Sequence, residues 1–410
     1  MILQAPRPLL AALGFLLFLP LIAASQEMTE AEALRRFERE NANLKALSAQ
    51  IREAQADVRS WSRPANPIVT YSREDAAGTR DEFFLIQQSL PLNGRLGLLR
   101  KAGRATVNSV EAETAYTKVQ LRSDFRVAFF GLLAAQERIT LLEFGVQPLH
   151  EIARVLGERE REGEGSTFDK LRAERELAEM EAALDRARIL LVEAQARLGS
   201  FLAFGSDPLS LKAKGNFSDA APLPSLEDLT ARALSVRGDY MAEQRRIERF
   251  RYERQAAKRI LIPDPIISAG FKRTTIPGLN DRGYAVSVAV PFPLFDGGKA
   301  RGARAKAALE HSEAAAAVLR RAAETDVQSA YEALKLYRRI AQEYVRRLGD
   351  HGEKLSRISR LSYEEGEQGI LELLDSHRVA LNSRLQALEL DLSAKLAEIE
   401  LNRAVGEEVF

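Results

Sequence analysis

The chain has 410 residues, enough for a large buried core. It contains no cysteine, so no disulfide holds it together. Once Arg7 leaves with the leader described next, 58 basic side chains face 58 acidic ones, a balance that speaks against general nucleic-acid binding. With 29% charged and only 7% aromatic residues, and with abundant Ala, Leu, Glu and Arg, the composition predicts long helices.

Arg7 is the only charge before Glu27, and residues 9–22 form an apolar run broken only by Gly14 and Pro20. Small residues follow at Ala23, Ala24 and Ser25. This pattern predicts a secretory signal peptide over 1–25, cut near Ser25; the run is too short to cross ~30 Å of hydrocarbon comfortably. No Cys follows it, which excludes lipid attachment at a new N-terminal Cys. No other apolar stretch approaches ~18 residues, so no transmembrane helix is predicted in the mature chain. β-barrel strands carry a much weaker signal and stay open.

Residues 26–206 and 223–406 carry the same order of features about 200 residues apart, which predicts two structural repeats joined by a linker at 207–222, marked by Pro208, Gly215 and Pro222. The first repeat opens at Thr29 and Glu32 with the spacing of a capping box, and the second at Ser225 and Asp228. Asn66-Pro67 then introduces a predicted strand pair at about 66–91, and Asp264-Pro265 another at about 264–293. Tyr284, Val286, Val288 and Val290 alternate with Ala285, Ser287 and Ala289, placing large apolar groups on one face and small or hydroxyl groups on the other. Phe84, Ile86 and Leu90 do the same less cleanly, because Gln88 interrupts the row. Such strands suit a membrane barrel and a half-buried soluble sheet alike.

Each strand pair ends in a corner, at Pro91 and Gly94 in the first repeat and at Pro291, Gly297 and Gly298 in the second. A helical hairpin follows, at about 95–203 and about 299–405. Leu132, Ala135, Ile139, Leu142, Val146 and Leu149 step alternately by three and four, and Leu177, Leu184, Leu191 and Leu198 recur every seven residues. Val327, Ala330, Leu334, Tyr337, Ala341, Tyr344 and Leu348 keep that alternation, as do Leu371, Leu374, Arg378, Leu381, Leu385, Leu388 and Leu392. A sustained repeat of 3.5 predicts left-handed coiled-coil packing. Gly163-Glu164-Gly165-Ser166 and Gly366-Glu367-Gln368-Gly369 are the predicted hairpin tips. The first helix of each hairpin would run ~100 Å if unbroken, a length no globular core needs.

Catalytic chemistry has no signature in the sequence. There is no nucleophile elbow, and Asp296-Gly297-Gly298 lacks both the Lys-Ser/Thr of a phosphate loop and the G-x-G-x-x-G spacing. His150, His311, His351 and His377 show neither i,i+4 pairing nor carboxylate spacing, and four Met with no Cys complete no metal set. The expectation is a chain without catalytic residues, cofactor or metal site, and therefore not an enzyme.

Taken in order, Gln88-Ser89-Leu90-Pro91 with Gly94-Arg95, Pro293-Leu294-Phe295-Asp296-Gly297-Gly298, and Tyr363-Glu364-Glu365-Gly366 leading to Leu371-Glu372-Leu373-Leu374-Asp375 resemble the TolC-like outer-membrane efflux family, including its heavy-metal-efflux branch. The resemblance covers essentially the whole mature chain. It implies a mainly α, internally duplicated chain with four strands, three copies of which form a 12-stranded β-barrel continuous with an α-helical tunnel. The protein would sit in the outer membrane of a Gram-negative bacterium, in contact with its lipid and with a long periplasmic extension. It would serve as a passive exit duct, joined through a periplasmic adaptor to an inner-membrane pump. The resemblance places Glu372 and Asp375 at the periplasmic aperture, six carboxylates around one axis in the trimer. Gly163, Gly165, Gly366 and Gly369 would lie at the adaptor-docking tips, and the Pro/Gly corners at the turn from barrel to tunnel. Metal ions, drugs and secreted proteins are all admissible cargo. Two other readings stand beside this one: a periplasmic adaptor, although adaptors generally carry one hairpin between all-β modules, and a coiled-coil scaffold with no pore.

Overall fold

The computed structural model describes residues 26–61, 63–202, 208–217, 221–348 and 351–410; the predicted signal peptide lies outside them. Within this range the chain is mainly helical with a small β part. The elements run β1 (Gln26–Thr29), α1 (Glu30–Glu40), α2 (Ala42–Trp61), β2 (Ile68–Ala76), β3 (Thr79–Ser89), α3 (Arg95–Arg161) and α4 (Thr167–Gly199). After these come β4 (Leu211–Lys214), α5 (Leu226–Val236), α6 (Gly238–Lys258), β5 (Ile266–Ile276), β6 (Leu279–Ala289), α7 (Lys299–Leu348), α8 (His351–Glu364) and α9 (Ile370–Val405).

Helix α1 starts on a complete capping box. The Glu32 N–H donates to Thr29 Oγ1, and the Thr29 N–H donates to Glu32 Oε2 at 2.9 Å. These bonds hold the Glu32 carboxyl below its usual range, the Thr29 backbone N–H being the largest cause. Helix α5 has only half the device. The Asp228 N–H donates to Ser225 Oγ, but the Asp228 carboxylate accepts from that same hydroxyl at 2.6 Å. Aspartate is one methylene shorter than glutamate, which leaves it short of the N-cap N–H.

The core follows the heptad positions only in part. Leu142, Val146, Leu184, Ala187 and Leu381 form one buried cluster, and Leu149, Leu156, Ala173, Ile370, Leu373 and Leu374 form the next, so that α3, α4 and α9 interlock. Tyr337, Leu348, Leu371 and Arg378 lie exposed on the single chain. A seam with such positions open has its remaining holes on other surfaces. At the middle of the molecule Phe37 stacks on Phe125 with ring centroids 4.7 Å apart, and Phe201 meets both edge-on. Nearer the strands, α2 packs on α3, and α6 packs on both α3 and α7.

The described residues hold six strands rather than four. Four of them make one sheet in the order β2-β3-β5-β6, every neighbour antiparallel. The other two, β1 and β4, form a small parallel sheet beside the hairpins. Strand β4 falls within the expected linker, 207–222. It spans only four residues, with Leu211 and Ala213 buried and Lys212 and Lys214 exposed, too short for its alternation to register in the sequence. Its outer edge is closed by side chains: Gln136 of α3 both accepts from the Ala213 N–H at 2.8 Å and donates to the Ala213 carbonyl at 3.0 Å, and Gln195 of α4 donates to the Leu211 carbonyl. This removes the edge liability of a two-stranded sheet.

A buried arginine ties the second repeat together. Arg237, between α5 and α6, contacts Asp239 at 3.0 Å, Asp326 of α7 at 2.8 Å and the Ala404 carbonyl of α9 at 3.3 Å. Its Nη2 donates to the Tyr116 hydroxyl of α3 at 3.3 Å, so every nitrogen of the guanidinium is met, as burial of a cation demands.

Candidate functional site: sheet, corners and hairpin tips

The register of the four-stranded sheet sorts its side chains into two unlike faces. On one, Val69, Ile86, Ala269 and Val286 stand in one row, with Tyr71, Phe84, Phe271 and Tyr284 in the row beyond. Tyr71 and Phe84 lie 4.7 Å apart by ring centroid, Phe271 and Tyr284 5.7 Å. Among the described residues nothing covers these groups: Val286 is 75% exposed and Tyr284 87%. The opposite face carries Thr70, Leu85, Gly270 and Ala285 in one row and Ser72, Phe83, Lys272 and Gly283 in the next. Gln88, which breaks the apolar alternation, donates to the carbonyls of Ala65 and Ser89, so it serves the chain entering the sheet. Strands β2, β3, β5 and β6 have nine, eleven, eleven and eleven residues, the length a tilted strand needs to cross a bilayer. Among the described residues, the outer edges of β2 and β6 pair with no other strand.

Both corners between sheet and helix use the same local devices. The Leu92 N–H donates to the Leu90 carbonyl and the Leu294 N–H to the Phe292 carbonyl, each at 2.9 Å, making three-residue turns centred on Pro91 and Pro293. An Asx side chain then receives a backbone N–H two residues on: Asn93 from Arg95, Asp296 from Gly298. Gly94 and Gly298, immediately before α3 and α7, take φ of +73° and +78°. The equivalent of Pro91 is therefore Pro293 and not Pro291, which the matched sequence order suggests. Two extra residues, one before Asp296 and one between it and Gly298, lengthen the second corner and shift the correspondence, and turn geometry reveals it where composition does not. Gly298 also sits so close to α6 that a Cβ there would strike the Ala257 carbonyl, whereas Gly297 would meet only Leu261. Asn93, which the sequence reading does not single out, is buried and donates to the Ile262 carbonyl at 2.9 Å, joining the first corner to the approach to β5.

The hairpin tips are copies of one another. At the first, the Gly163 N–H donates to the Glu160 carbonyl and the Glu164 N–H to Arg159. At the second, Gly366 donates to Tyr363 and Glu367 to Ser362. Both are Schellman motifs, with Gly163 at φ +78° and Gly366 at φ +79°. The second glycine of each tip differs. A Cβ on Gly165 would run into the backbone of Arg159 and Glu160 at 2.7–2.9 Å, while one on Gly369 would meet only the carboxylate end of Glu372 at 3.1 Å.

Glu372 and Asp375 both point away from the buried Leu373 and Leu374, on the exposed face of α9. Asp375 accepts from Arg378 Nη2 at 2.6 Å in a half-exposed pair. No hydrogen bond or ion pair to Glu372 occurs among the described residues. At the matching place in the first hairpin, Arg172 lies over the Phe168 ring, 5.9 Å from its centroid. Of the histidines, His150 lies 3.2 Å from Glu181 on the neighbouring helix α4, a carboxylate partner that spacing along α3 does not reveal. His377 meets the Gly145 carbonyl of α3 at 2.8 Å, one turn from Pro148. Among the described residues no three His, Cys, Asp or Glu side chains gather as a metal site.

Comparison with known proteins agrees with this architecture. Residues 229–407 match the family model described as outer membrane efflux protein. The chain is 23% identical over 367 residues to the cobalt-zinc-cadmium resistance protein CzcC of Cupriavidus metallidurans, covering 89% of this chain and 87% of CzcC. Among solved structures, the outer-membrane channel OprN superposes with a TM-score of 0.75 at 20% identity, over 92% of this chain and 89% of that one. CusC superposes with a TM-score of 0.76 at 17% identity, over 92% of each chain. The second repeat of this chain therefore carries an outer membrane efflux protein domain, and the chain as a whole has the fold of the outer-membrane efflux channels.

Proposed function

We propose that three copies of this chain close a 12-stranded barrel in the outer membrane and extend it as a helical tunnel across the periplasm, forming a passive exit duct of a tripartite efflux system. The observation that carries this is the four-stranded sheet. Among the described residues its outward face is a bare apolar and aromatic surface and its two edges are unpaired, and it runs through glycine corners into helices of 67 and 50 residues. Open edges are prohibitively costly in lipid, where each unmet backbone group costs several kcal/mol, so neighbouring copies must complete the ladder. The 67 residues of α3 alone span about 100 Å. The scaffold reading has no use for such a sheet, and the adaptor reading has no use for two matched hairpins. The similarity to CzcC favours divalent metal cations as cargo, delivered by a pump through an adaptor seated on the two tips.

The expected result is recovery of a heat-resistant trimer from outer-membrane fractions, with ionic conductance in planar bilayers. A soluble periplasmic monomer with no conductance would overturn the reading. Docking at the tips has its own test. Gly369→Trp leaves the Schellman turn at Gly366 intact, since a Cβ at 369 meets only the carboxylate end of the Glu372 side chain and no backbone. The variant is expected to form conducting trimers yet lose adaptor cross-linking and at least about tenfold in efflux, a coupling loss of about 1.4 kcal/mol. Gly165→Trp is the poorer probe, because it deforms the tip backbone itself. Normal cross-linking by Gly369→Trp trimers would place the adaptor elsewhere.

A further inference from the structure

The row of the sheet just beyond the aromatic one, toward the hairpin turns at 76–79 and 276–279, holds Arg73, Glu82, Arg273 and Arg282 on the same outward face. The next row holds Asp75, Arg80, Thr275 and Asn280. Four arginines thus share this band with two carboxylates. Asp75 is spent on Arg73 and Arg80, at 2.8 and 2.9 Å. Glu82 accepts from the Tyr71 hydroxyl at 3.0 Å and lies 3.9 Å from Arg273. The Arg282 guanidinium is exposed and has no hydrogen-bond or ion-pair partner among the described residues. The inner face at the same height has the opposite sign: Glu74, Asp81 and Asp281 against Lys272. Charge is therefore segregated across the thickness of one strand layer, basic outward and acidic inward.

Below this band the outward face is apolar, and at its far end the exposed Phe292, Leu294 and Phe295 form a second apolar belt. From Tyr284 to Ala289, the last residue of β6, the apolar rows cover about 17 Å along the strand, and the chain continues through Val290 to the exposed Phe292. The arginines thus stand where the headgroups begin, on the side away from the helices. Guanidinium groups bind phosphate bidentately and hold it in partly desolvated settings better than ammonium does.

We infer that Arg73, Arg273 and Arg282, supported by Tyr71 and Tyr284, form an external collar that binds the phosphate groups of an anionic glycolipid in the outer leaflet, its acyl chains lying on Val69, Ile86 and Val286. This rests on the barrel reading. It commits to a bis-phosphorylated lipid A-type headgroup, because arginines on three strands of one sheet, β2, β5 and β6, offer more than one phosphate site while the apolar rows beneath them take acyl chains. The collar is a stabilising contact that a trimer in plain phospholipid lacks.

The test uses full-length trimers in vesicles of phosphatidylcholine, alone or with lipid A, with dephosphorylated lipid A, or with phosphatidylglycerol, and a further sample with inorganic phosphate in solution. Lipid A is expected to raise the temperature of trimer dissociation in the wild type, and dephosphorylated lipid A, phosphatidylglycerol and free phosphate are expected to raise it far less. The R73Q/R273Q/R282Q variant is expected to lose the shift while keeping trimers and conductance in phosphatidylcholine. Equal shifts from lipid A and dephosphorylated lipid A, or an undiminished shift in the variant, would refute the collar. If the variant does not assemble, the lipid comparison on the wild type decides alone. Failure of the wild type to form conducting trimers in any vesicle would instead overturn the barrel reading beneath it.

Discussion

Gly270→Val is expected to abolish the trimer, with at least about a tenfold loss of the heat-resistant form from outer-membrane fractions. Gly270 lies in β5 opposite Leu85 of β3, and this pairing is the seam that joins the strands of the two repeats. A Cβ at 270 runs into the carbonyl oxygen of Phe84 and crowds the backbone of Leu85, so any side chain drives the strands apart at mid-ladder. Water can take over broken ladder bonds in a soluble sheet. In hydrocarbon nothing can, and each orphaned N–H or C=O costs several kcal/mol. Gly283→Ala is the control, because a Cβ there meets nothing within 4 Å. That variant is expected to assemble normally on unheated electrophoretic gels. Normal trimers from Gly270→Val would show that the seam tolerates a rearranged register and that the repeats are joined otherwise.

Charge substitutions on α9 are expected to change ion selectivity in opposite directions. Replacing Glu372 and Asp375 together by Ala should raise single-channel conductance and weaken cation selectivity if both line the aperture. The structure divides the two carboxylates further, since Asp375 is paired with Arg378 and Glu372 is not. Three unpaired carboxylates, each about 6 Å from a passing cation in water, contribute about 0.7 kcal/mol apiece. Screening at physiological salt roughly halves this, leaving about 1 kcal/mol, or about fivefold in the permeability ratio. Glu372→Ala is therefore expected to lower cation preference about fivefold, and Arg378→Ala to raise it by a similar factor by releasing Asp375. Reversal potentials across a salt gradient in planar bilayers measure both. Should Arg378→Ala leave the reversal potential in place, α9 does not face the constriction.

The agreement between pattern and structure is uneven along the chain. The heptads of α3, α4 and α9 are readable because Leu142, Leu184 and Leu381 fall every seventh or every third and fourth residue and bury one stripe. The tips were equally legible: Gly163 and Gly366 end helices in the left-handed conformation that glycine alone adopts without strain. The strand alternation in β6 was plain, yet it left barrel and soluble sheet open, because period two reports which residues share a face and not what that face meets. Strand β4 is too short to register in the pattern, and the shift from Pro291 to Pro293 is hidden because two inserted residues leave the Pro and Gly landmarks looking aligned.

Elements and their ends are thus local properties, written into residue type and spacing through capping, glycine φ and side-chain periodicity. Everything that needs two distant segments to meet was decided by the tertiary structure. The Tyr71–Phe84–Phe271–Tyr284 row depends on a register between strands separated by up to about 200 residues, and the opposite signs of the two sheet faces follow from that register. The quenching of Asp375 by Arg378 was within reach of spacing, whereas the clamp of Gln136 on β4 and the Asn93 bridge to Ile262 were not. Sequence periodicity specifies which face of an element is apolar; only the packing of the whole chain determines which apolar faces are covered and which, like the outer face of this sheet, are left for a partner or a membrane.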